Sequence, residues 1–319
     1  MRAFHLTQSG TNATLRDLPI PEPGPGQLRL TIGACGLNFA DILMQKGTYQ
    51  DIPKLPFTLG MEVAGTINAL GPGTTGFAIG DRVMVFAGHG GLAEQGVFDA
   101  ARATLLPDEM PFHDAAAFPV TYGTSHIALE SRARLLPHET LLVLGAAGGV
   151  GLTAVELGKL IGATVIASAR DADKLSAARD AGADYLIDSE TEDLRERVLA
   201  LGGADVVYDP VGGEGFRAAF RACNPEGRLL PIGFASGDVP QIPANHLLVK
   251  NLSVLGFYIG GYLKFRPDIV TDSLQTLIGW YLEGRLRPHI SHILPLDRVE
   301  EGMDLLRNRQ STGKVVVTP

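Results

Sequence analysis

The stretch that decides the fold is "LLVLGAAGGVGL", residues 141–152. Four large apolar residues run into a segment with four glycines among residues 145–151. Glycine inside an element costs roughly 0.5–1 kcal/mol relative to alanine, so this much bare backbone implies that something must approach the main chain closely. A strand, a tight glycine turn and a helix N-terminus together make an anion site, because unpaired N–H groups and the positive end of the helix dipole converge there. In the pattern G-x-G-x-x-G the second glycine admits a pyrophosphate and the third lets helix and strand pack closely. Here the six residues are "AAGGVG", residues 146–151: Gly148 and Gly151 match, Ala146 replaces the first glycine, and Gly145 is available to make the turn. The backbone at Ala147, Gly148, Gly149, Val150 and Gly151 is therefore the candidate grip on a dinucleotide, and a merely structural turn is the competing reading.

The flanking sequence repeats the strand-and-helix rhythm. Short apolar runs "TLLVLG", "TVIASA", "YLID", "DVVYDP", "GRLLPIGF" and "LSVLGF" alternate with helical patterns, which predicts a doubly wound parallel sheet. The helix after the glycines is expected to bury a face made of Val150, Ala154, Leu157 and Ile161, and another carries Leu194, Val198 and Leu201 before stopping at Gly202 and Gly203. The first third differs: "PIPEPGPGQLRLTI", "VAGTINALG" and "GDRVMVFA" are short strands punctuated by proline and glycine. Two long helical stretches and a last strand, "KVVVTP", break the alternating rhythm and are expected to return to the first domain, leaving a cleft between two lobes. The expected boundaries are 1–118, 119–256 and 257–319.

Which dinucleotide fits is decided after the next strand, where a carboxylate would bind a ribose 2′-hydroxyl and repel a 2′-phosphate. That strand ends in Ser168 and Ala169, followed by Arg170, with Lys174 one helical turn on. A planar set of donors and a point charge suit a phosphate dianion. Asp171 and Asp173 oppose it, unless they cap the helix "DKLSAARDAG".

Composition excludes several classes. A net charge of −8 with scattered Lys and Arg gives no basic footprint for nucleic acid or anionic lipid. The longest apolar run, 141–155, is broken by glycines and falls short of the ~18 residues of a membrane span. Two cysteines, Cys35 and Cys223, are too few for a disulfide framework and read as small buried hydrophobes, as expected of a cytoplasmic chain. His289 and His292 lie three apart and do not share a strand face, so a joint metal is not expected.

The motifs "GACGLNFADILMQKGTY", "PFTLGMEVAG", "GDRV", "FPVTYGTSHIAL" and "VLGAAGGVGL", in this order, resemble the medium-chain dehydrogenase/reductase superfamily over nearly the whole chain. Its zinc alcohol dehydrogenases carry Cys, His and Cys ligands at positions that fall here on Asn38, Met61 and Val120, none of which suits zinc. The resemblance thus narrows to the zinc-free quinone oxidoreductase branch. It implies a GroES-like, mostly β catalytic domain, a doubly wound parallel-sheet (Rossmann) nucleotide-binding domain, NADPH as cofactor, no metal, and a homodimer. It also implies reduction of quinones or conjugated enones, with a reductase of enoyl thioesters and a nucleotide-binding redox sensor of little turnover as alternatives.

The resemblance assigns residues as well. Asn38 and Tyr49 would face the nicotinamide and substrate as the catalytic pair; Thr124 would lie by the nicotinamide, with the backbone at Phe234 and Phe257 closing around it. Lys174 and Arg309 correspond to residues that hold the 2′-phosphate. Leu43 and Ser189 stand where some members have tyrosines, the first bearing on substrate preference and the second on the 2′-phosphate. The residues themselves leave a loop-capping role open for Asn38 and a packing role open for Tyr49.

Overall fold

The computed structural model describes residues 1–319, which divide into two compact units, Met1–Val120 with Gly260–Pro319, and Thr121–Ile259. In the second unit six parallel strands stand in the order Tyr185–Asp188, Thr164–Ala169, Thr140–Leu144, Ala204–Asp209, Cys223–Pro231, Ser253–Val254. Counted along the chain this is 3-2-1-4-5-6, the doubly wound order whose direction reverses beside the first strand. The middle of the sheet is apolar, as a sheet covered on both faces requires: Leu141, Leu142, Val143, Val165, Ile166, Val206, Val207 and Leu229 are fully buried.

The helix Gly149–Ile161 follows the glycine turn. The expected buried stripe is corrected here: Val150 and Ile161 are half-buried, whereas Leu152, Thr153, Ala154, Val155 and Leu157 are buried. A single stripe suits a helix with solvent on its far side. This one packs on the strands Thr140–Leu144 and Thr164–Ala169 and also against the helix Gly123–His126. Gly158 completes the contact, since a Cβ there would lie 2.6 Å from the Leu141 side chain. The run "LSVLGF" forms only a two-residue strand, Ser253–Val254, at the open end of the sheet.

In the first unit the strand Gln27–Gly36 is the hub. It pairs antiparallel with Glu62–Leu70, Gln95–Asp99 and Lys314–Thr318, so the last strand of the chain lies against the third. Helices Pro267–Leu282 and Val299–Arg307 arise from the two long helical stretches. No helix is long and apolar enough to cross a membrane.

Two glycines of the opening motif serve packing. Gly145 has φ +55°, a left-handed turn that glycine adopts without strain. This leaves Ala146 free to be fully buried, its N–H donating to the Ser168 carbonyl at 3.0 Å, and explains why the motif tolerates alanine at its first position. A Cβ on Gly151 would sit 2.3 Å from the Gly145 carbonyl oxygen and 2.9 Å from the Ala146 backbone. Gly151→Ala is therefore expected to destabilise the protein by about 1–3 kcal/mol despite alanine's higher helix propensity. Denaturant midpoints check this; an unchanged midpoint would contradict it.

Candidate active site

In the second unit the N-terminus of Gly149–Ile161 carries no side-chain cap, because its N-cap residue is Gly148. The first N–H groups of a helix have no intrahelical partners, so they point out of the turn toward whatever lies in front of it. Gly148 is exposed, and a Cβ there would meet nothing closer than 3.4 Å. The protein itself thus leaves room for a side chain at Gly148, in contrast to Gly151. Ala147 is buried beside it, and Gly149 and Val150 are half-buried. The residues present fit an anionic diphosphate: bare backbone, directed donors and no competing carboxylate in the turn.

Ser168 is buried near the end of its strand. Ala169 pairs with Asp188, which brings the following residues, Arg170 and Ser189, to the same rim of the sheet. Asp171, with φ +55°, caps the next helix by accepting the Lys174 N–H at 3.0 Å and also holds the Lys174 ammonium at 2.6 Å. The Lys174 amine beside it keeps the Asp171 carboxyl below its ordinary range. Arg170 has a looser partner, Glu190 at 3.9 Å, and Ser189 is exposed. Thr124 is buried, Phe234 exposed and Phe257 half-buried, all within this unit.

Asn38, Tyr49 and Arg309 belong to the first unit. Arg309 is exposed at a left-handed position (φ +55°) after the helix Val299–Arg307. Tyr49 is half-buried beyond the helix Phe39–Lys46. Asn38 opens that helix and sits in a buried charged cluster. Its amide Nδ2 donates to Glu62 Oε1 at 2.9 Å and to the Gly36 carbonyl at 3.3 Å, and its Oδ1 accepts from Lys314 Nζ at 3.0 Å. Lys314 Nζ also donates to Glu62 Oε1 at 2.6 Å and to the Leu37 carbonyl at 2.7 Å, and Glu62 Oε2 accepts the Val120 N–H at 2.8 Å. Lys314 and Glu62 are 4% and 0% exposed, so their charges are matched where water cannot reach them.

Both amide hydrogens of Asn38 are thereby committed to protein acceptors, and no uncommitted N–H remains for a substrate oxygen. These are hydrogen bonds of the kind a loop-capping amide makes, the alternative to a substrate-facing donor that the sequence leaves open for Asn38. Asp41 completes the anchor: its two carboxylate oxygens accept the N–H groups of Asn38 at 2.9 Å and Gly60 at 3.0 Å. Burial pushes the Asp41 carboxyl up to about 7, against the pull of those two donors and of Lys314. Burial likewise raises the Cys35 thiol well above its usual range and Cys223 to about 12, which leaves neither poised as a nucleophile.

Sequence reasoning missed Glu62 and Lys314. The signal was there: a carboxylate inside the apolar run "GMEVAG" and a lysine opening "KVVVTP" are charges in core strands, which must find partners. Gly36 belongs to the same arrangement, since a Cβ there would lie 2.7 Å from Glu62 Oε1. Among His, Cys, Asp and Glu side chains, no group of three or more is placed to hold a metal ion. His289 and His292 have separate partners, Thr312 at 2.8 Å and Ser291 at 2.9 Å.

A GroES-like unit with a doubly wound nucleotide unit defines a class of oxidoreductase, and comparisons with known proteins place the chain within it. A family model described as an alcohol dehydrogenase GroES-like domain matches residues 24–108, and one described as a zinc-binding dehydrogenase matches residues 149–276. The second match excludes positions 38, 61 and 120, so it carries no information on zinc here. The quinone oxidoreductase-like protein 2 homolog of Nematostella vectensis is 39% identical over 300 residues, covering 92% of this chain and 82% of that protein. The quinone oxidoreductase of Thermus thermophilus, solved also in complex with NADPH, shares 33% identity and a TM-score of 0.87 over the whole of both chains. The Escherichia coli quinone oxidoreductase complexed with NADPH shares 27% identity and a TM-score of 0.91, covering 100% of this chain and 99% of that one. The chain belongs to the medium-chain dehydrogenase/reductase family, in its quinone oxidoreductase-like branch.

Removing one partner from a buried ion pair leaves an uncompensated charge, at a cost of about 3–5 kcal/mol. Glu62→Gln and Lys314→Met are each expected to destabilise the protein by about that much, and the double variant by less than their sum. Denaturant titration of all four proteins measures the coupling; strict additivity would show that the two charges do not support each other.

Proposed function

We propose that this protein is an NADPH-dependent reductase that passes a hydride to quinones or conjugated enones without a metal. The observation that carries the reading is the exposed, uncapped turn at Gly148, whose bare backbone suits a diphosphate. The neighbouring rim of Arg170 and Lys174, where Asp171 caps the next helix and holds the Lys174 ammonium while Arg170 has only a loose partner, supports a 2′-phosphate through Arg170 first. The relatives named quinone oxidoreductase-like support the substrate class.

The bound reduced nicotinamide supplies the hydride. The protein's own part is to hold the nucleotide by the Ala147–Gly151 backbone, with Ser168, Arg170, Lys174 and Ser189 around the adenosine ribose and Thr124, Phe234 and Phe257 around the nicotinamide. A substrate oxygen gains negative charge as the hydride arrives, and a donor placed in a dry site stabilises it. The Tyr49 hydroxyl takes that role. Asn38, locked between Glu62 and Lys314, anchors the start of the helix that leads to Tyr49 rather than donating itself. Quinones and enones need little polarisation, and water suffices as the proton source for the resulting quinol or enolate.

The chain is further proposed to act as a cytoplasmic homodimer. The strand Ser253–Val254 leaves one edge of the parallel sheet open, and the adjoining helix Ala244–Lys250 exposes Leu248 at 78% and Val249 at 75%. Open edges and exposed apolar side chains are covered together when two copies pair symmetrically. Light scattering of the purified chain should give twice the monomer mass; a monomer would contradict the pairing.

The direct test of the reading is oxidation of NADPH with a simple quinone and with an enone, followed by absorbance. Turnover with at least one is expected, and binding without turnover on either would contradict it. Loss of a charge-assisted hydrogen bond to a phosphate should raise the NADPH KM of Arg170→Ala by about tenfold or more and the NADH KM by less than about twofold. Gly148→Ala separates ligand from fold. Its denaturant midpoint should stay close to wild type, because the added Cβ meets no protein atom closer than 3.4 Å, while nucleotide affinity falls by about tenfold.

A further inference from the structure

A seam of buried hydroxyls runs between the helical segment that carries Thr124 and the helix that opens at the glycine turn, all within the second unit. Ser125 is fully buried, and its Oγ lies 2.8 Å from Tyr208 Oη, 2.8 Å from Thr153 Oγ1 and 3.0 Å from the Val150 carbonyl oxygen. Thr153 Oγ1 has three carbonyl acceptors in reach, Val150 at 3.1 Å, Thr121 at 3.2 Å and Gly149 at 3.3 Å. Tyr122 Oη donates to Glu156 Oε2 at 2.6 Å. Val150, Thr153 and Glu156 are spaced three apart, so one face of the glycine-led helix is tied to three successive points, Ser125, Thr121 and Tyr122.

Tyr208 is fully buried, and burial pushes its phenol above its ordinary range, so it stays a neutral hydroxyl. The contacts to carbonyl oxygens have a forced direction: the Ser125 hydroxyl has the Val150 carbonyl in reach as an acceptor and the Thr153 hydroxyl those of Val150, Thr121 and Gly149, while either partner can donate in the Tyr208–Ser125 and Ser125–Thr153 contacts. Each of the three hydroxyls has at least one hydrogen-bond partner inside the protein, the condition under which a buried polar chain is rigid rather than costly. The segment it holds is irregular: residues Phe118–Tyr122 and Ile127–Arg132 form wide π-type turns on either side of Gly123–His126. Wide turns of this kind disturb the regular backbone ladder and concentrate at functional sites. The neighbouring helix reaches this segment through a side-chain hydroxyl, Thr153 Oγ1 lying 3.2 Å from the Thr121 carbonyl.

We infer that Tyr208, Ser125 and Thr153 are positioning residues that set the distance between the diphosphate turn and Thr124, and so the placement of the nicotinamide ring along the bound cofactor. This rests on the nucleotide reading above and deepens it. The turn grips the cofactor at its middle and Thr124 meets it at its reactive end. A seam that ends on Val150 at one side and begins beside Thr124 at the other fixes one against the other. None of the three needs to touch the cofactor for this to hold.

The test compares Tyr208→Phe, Thr153→Val and Thr153→Ser with wild type, and with Ile187→Val as a core change away from the seam. Three readouts are used: the NADPH dissociation constant, the emission of bound NADPH, and kcat with a quinone. In Tyr208→Phe and Thr153→Val the dissociation constant should stay within about threefold, because diphosphate and adenosine contacts are intact. The nicotinamide emission maximum and intensity should shift, and kcat should fall about tenfold, equivalent to about 1.4 kcal/mol. Thr153→Ser should restore both, since it returns the hydroxyl, and Ile187→Val should alter neither.

Unchanged emission and kcat in Tyr208→Phe and Thr153→Val would overturn the inference. So would equal changes in Ile187→Val, which would mark the effect as loss of stability alone. Emission shifts in a protein that never reduces a quinone or enone would uphold the seam and remove the substrate reading. Absence of any NADPH binding by wild type would overturn both.

Discussion

The structure of the nucleotide unit depends on one close approach, the carbonyl of Gly145 against the α-carbon of Gly151. At a Cβ-to-oxygen distance of 2.3 Å no side chain fits there, so the first turn of the helix can press onto the end of the strand. That contact fixes the direction of the helix axis and leaves the exposed Gly148 at its tip with no capping side chain. Gly151 serves packing within the protein, and Gly148 leaves space for something outside it. Two glycines three positions apart thus do opposite things. The same distinction explains the departure from the usual pattern, because residue 146 is enclosed and bonded to Ser168, while the left-handed turn belongs to Gly145.

The first unit solves a different problem, that of holding a loop rigid with charge. Lys314 from the last strand and Glu62 from a core strand meet at 2.6 Å with almost no solvent. Such pairs are poor sources of net stability but are intolerant of misplacement, since every displaced donor leaves a buried charge unmatched. Asn38 lies between them, with both donors and its acceptor used, and Asp41 clips the same loop through two backbone N–H groups. The helix that leads toward Tyr49 therefore starts from a point held from several directions. The three positions where zinc relatives carry ligands are occupied by this anchoring amide, a buried thioether and a residue whose N–H binds Glu62.

Much of this was legible in the sequence, and the reasons are local. The glycine turn, the alternation of strands and helices, the capping role of Asp171 and the basic rim at Arg170 and Lys174 all follow from contiguous residues whose spacing carries the meaning. Contacts at long sequence separation were not legible. Nothing in "KVVVTP" says that its lysine lies on a glutamate 252 residues earlier, and nothing in "FPVTYGTSHIAL" says that Ser125 bonds to Tyr208. Periodicity also misleads once: apolar residues recurring at helical spacing predict a single buried stripe after the turn, yet that helix packs both on the sheet and on the helix Gly123–His126, which buries Leu152, Thr153 and Val155 as well. The sequence leaves Asn38 with two readings, and the buried partners of its amide, Glu62 and Lys314, were not legible in it.

The central claim is that the turn at Gly148 grips a diphosphate, with Arg170 and Lys174 receiving a phosphate beside it. Isothermal titration with 2′-phosphoadenosine diphosphoribose, which has both anionic groups and no nicotinamide, measures that grip in isolation. One site per chain is expected, with affinity that weakens as salt is raised. No binding by the folded protein, or equal affinity for the fragment without its 2′-phosphate, would contradict the claim.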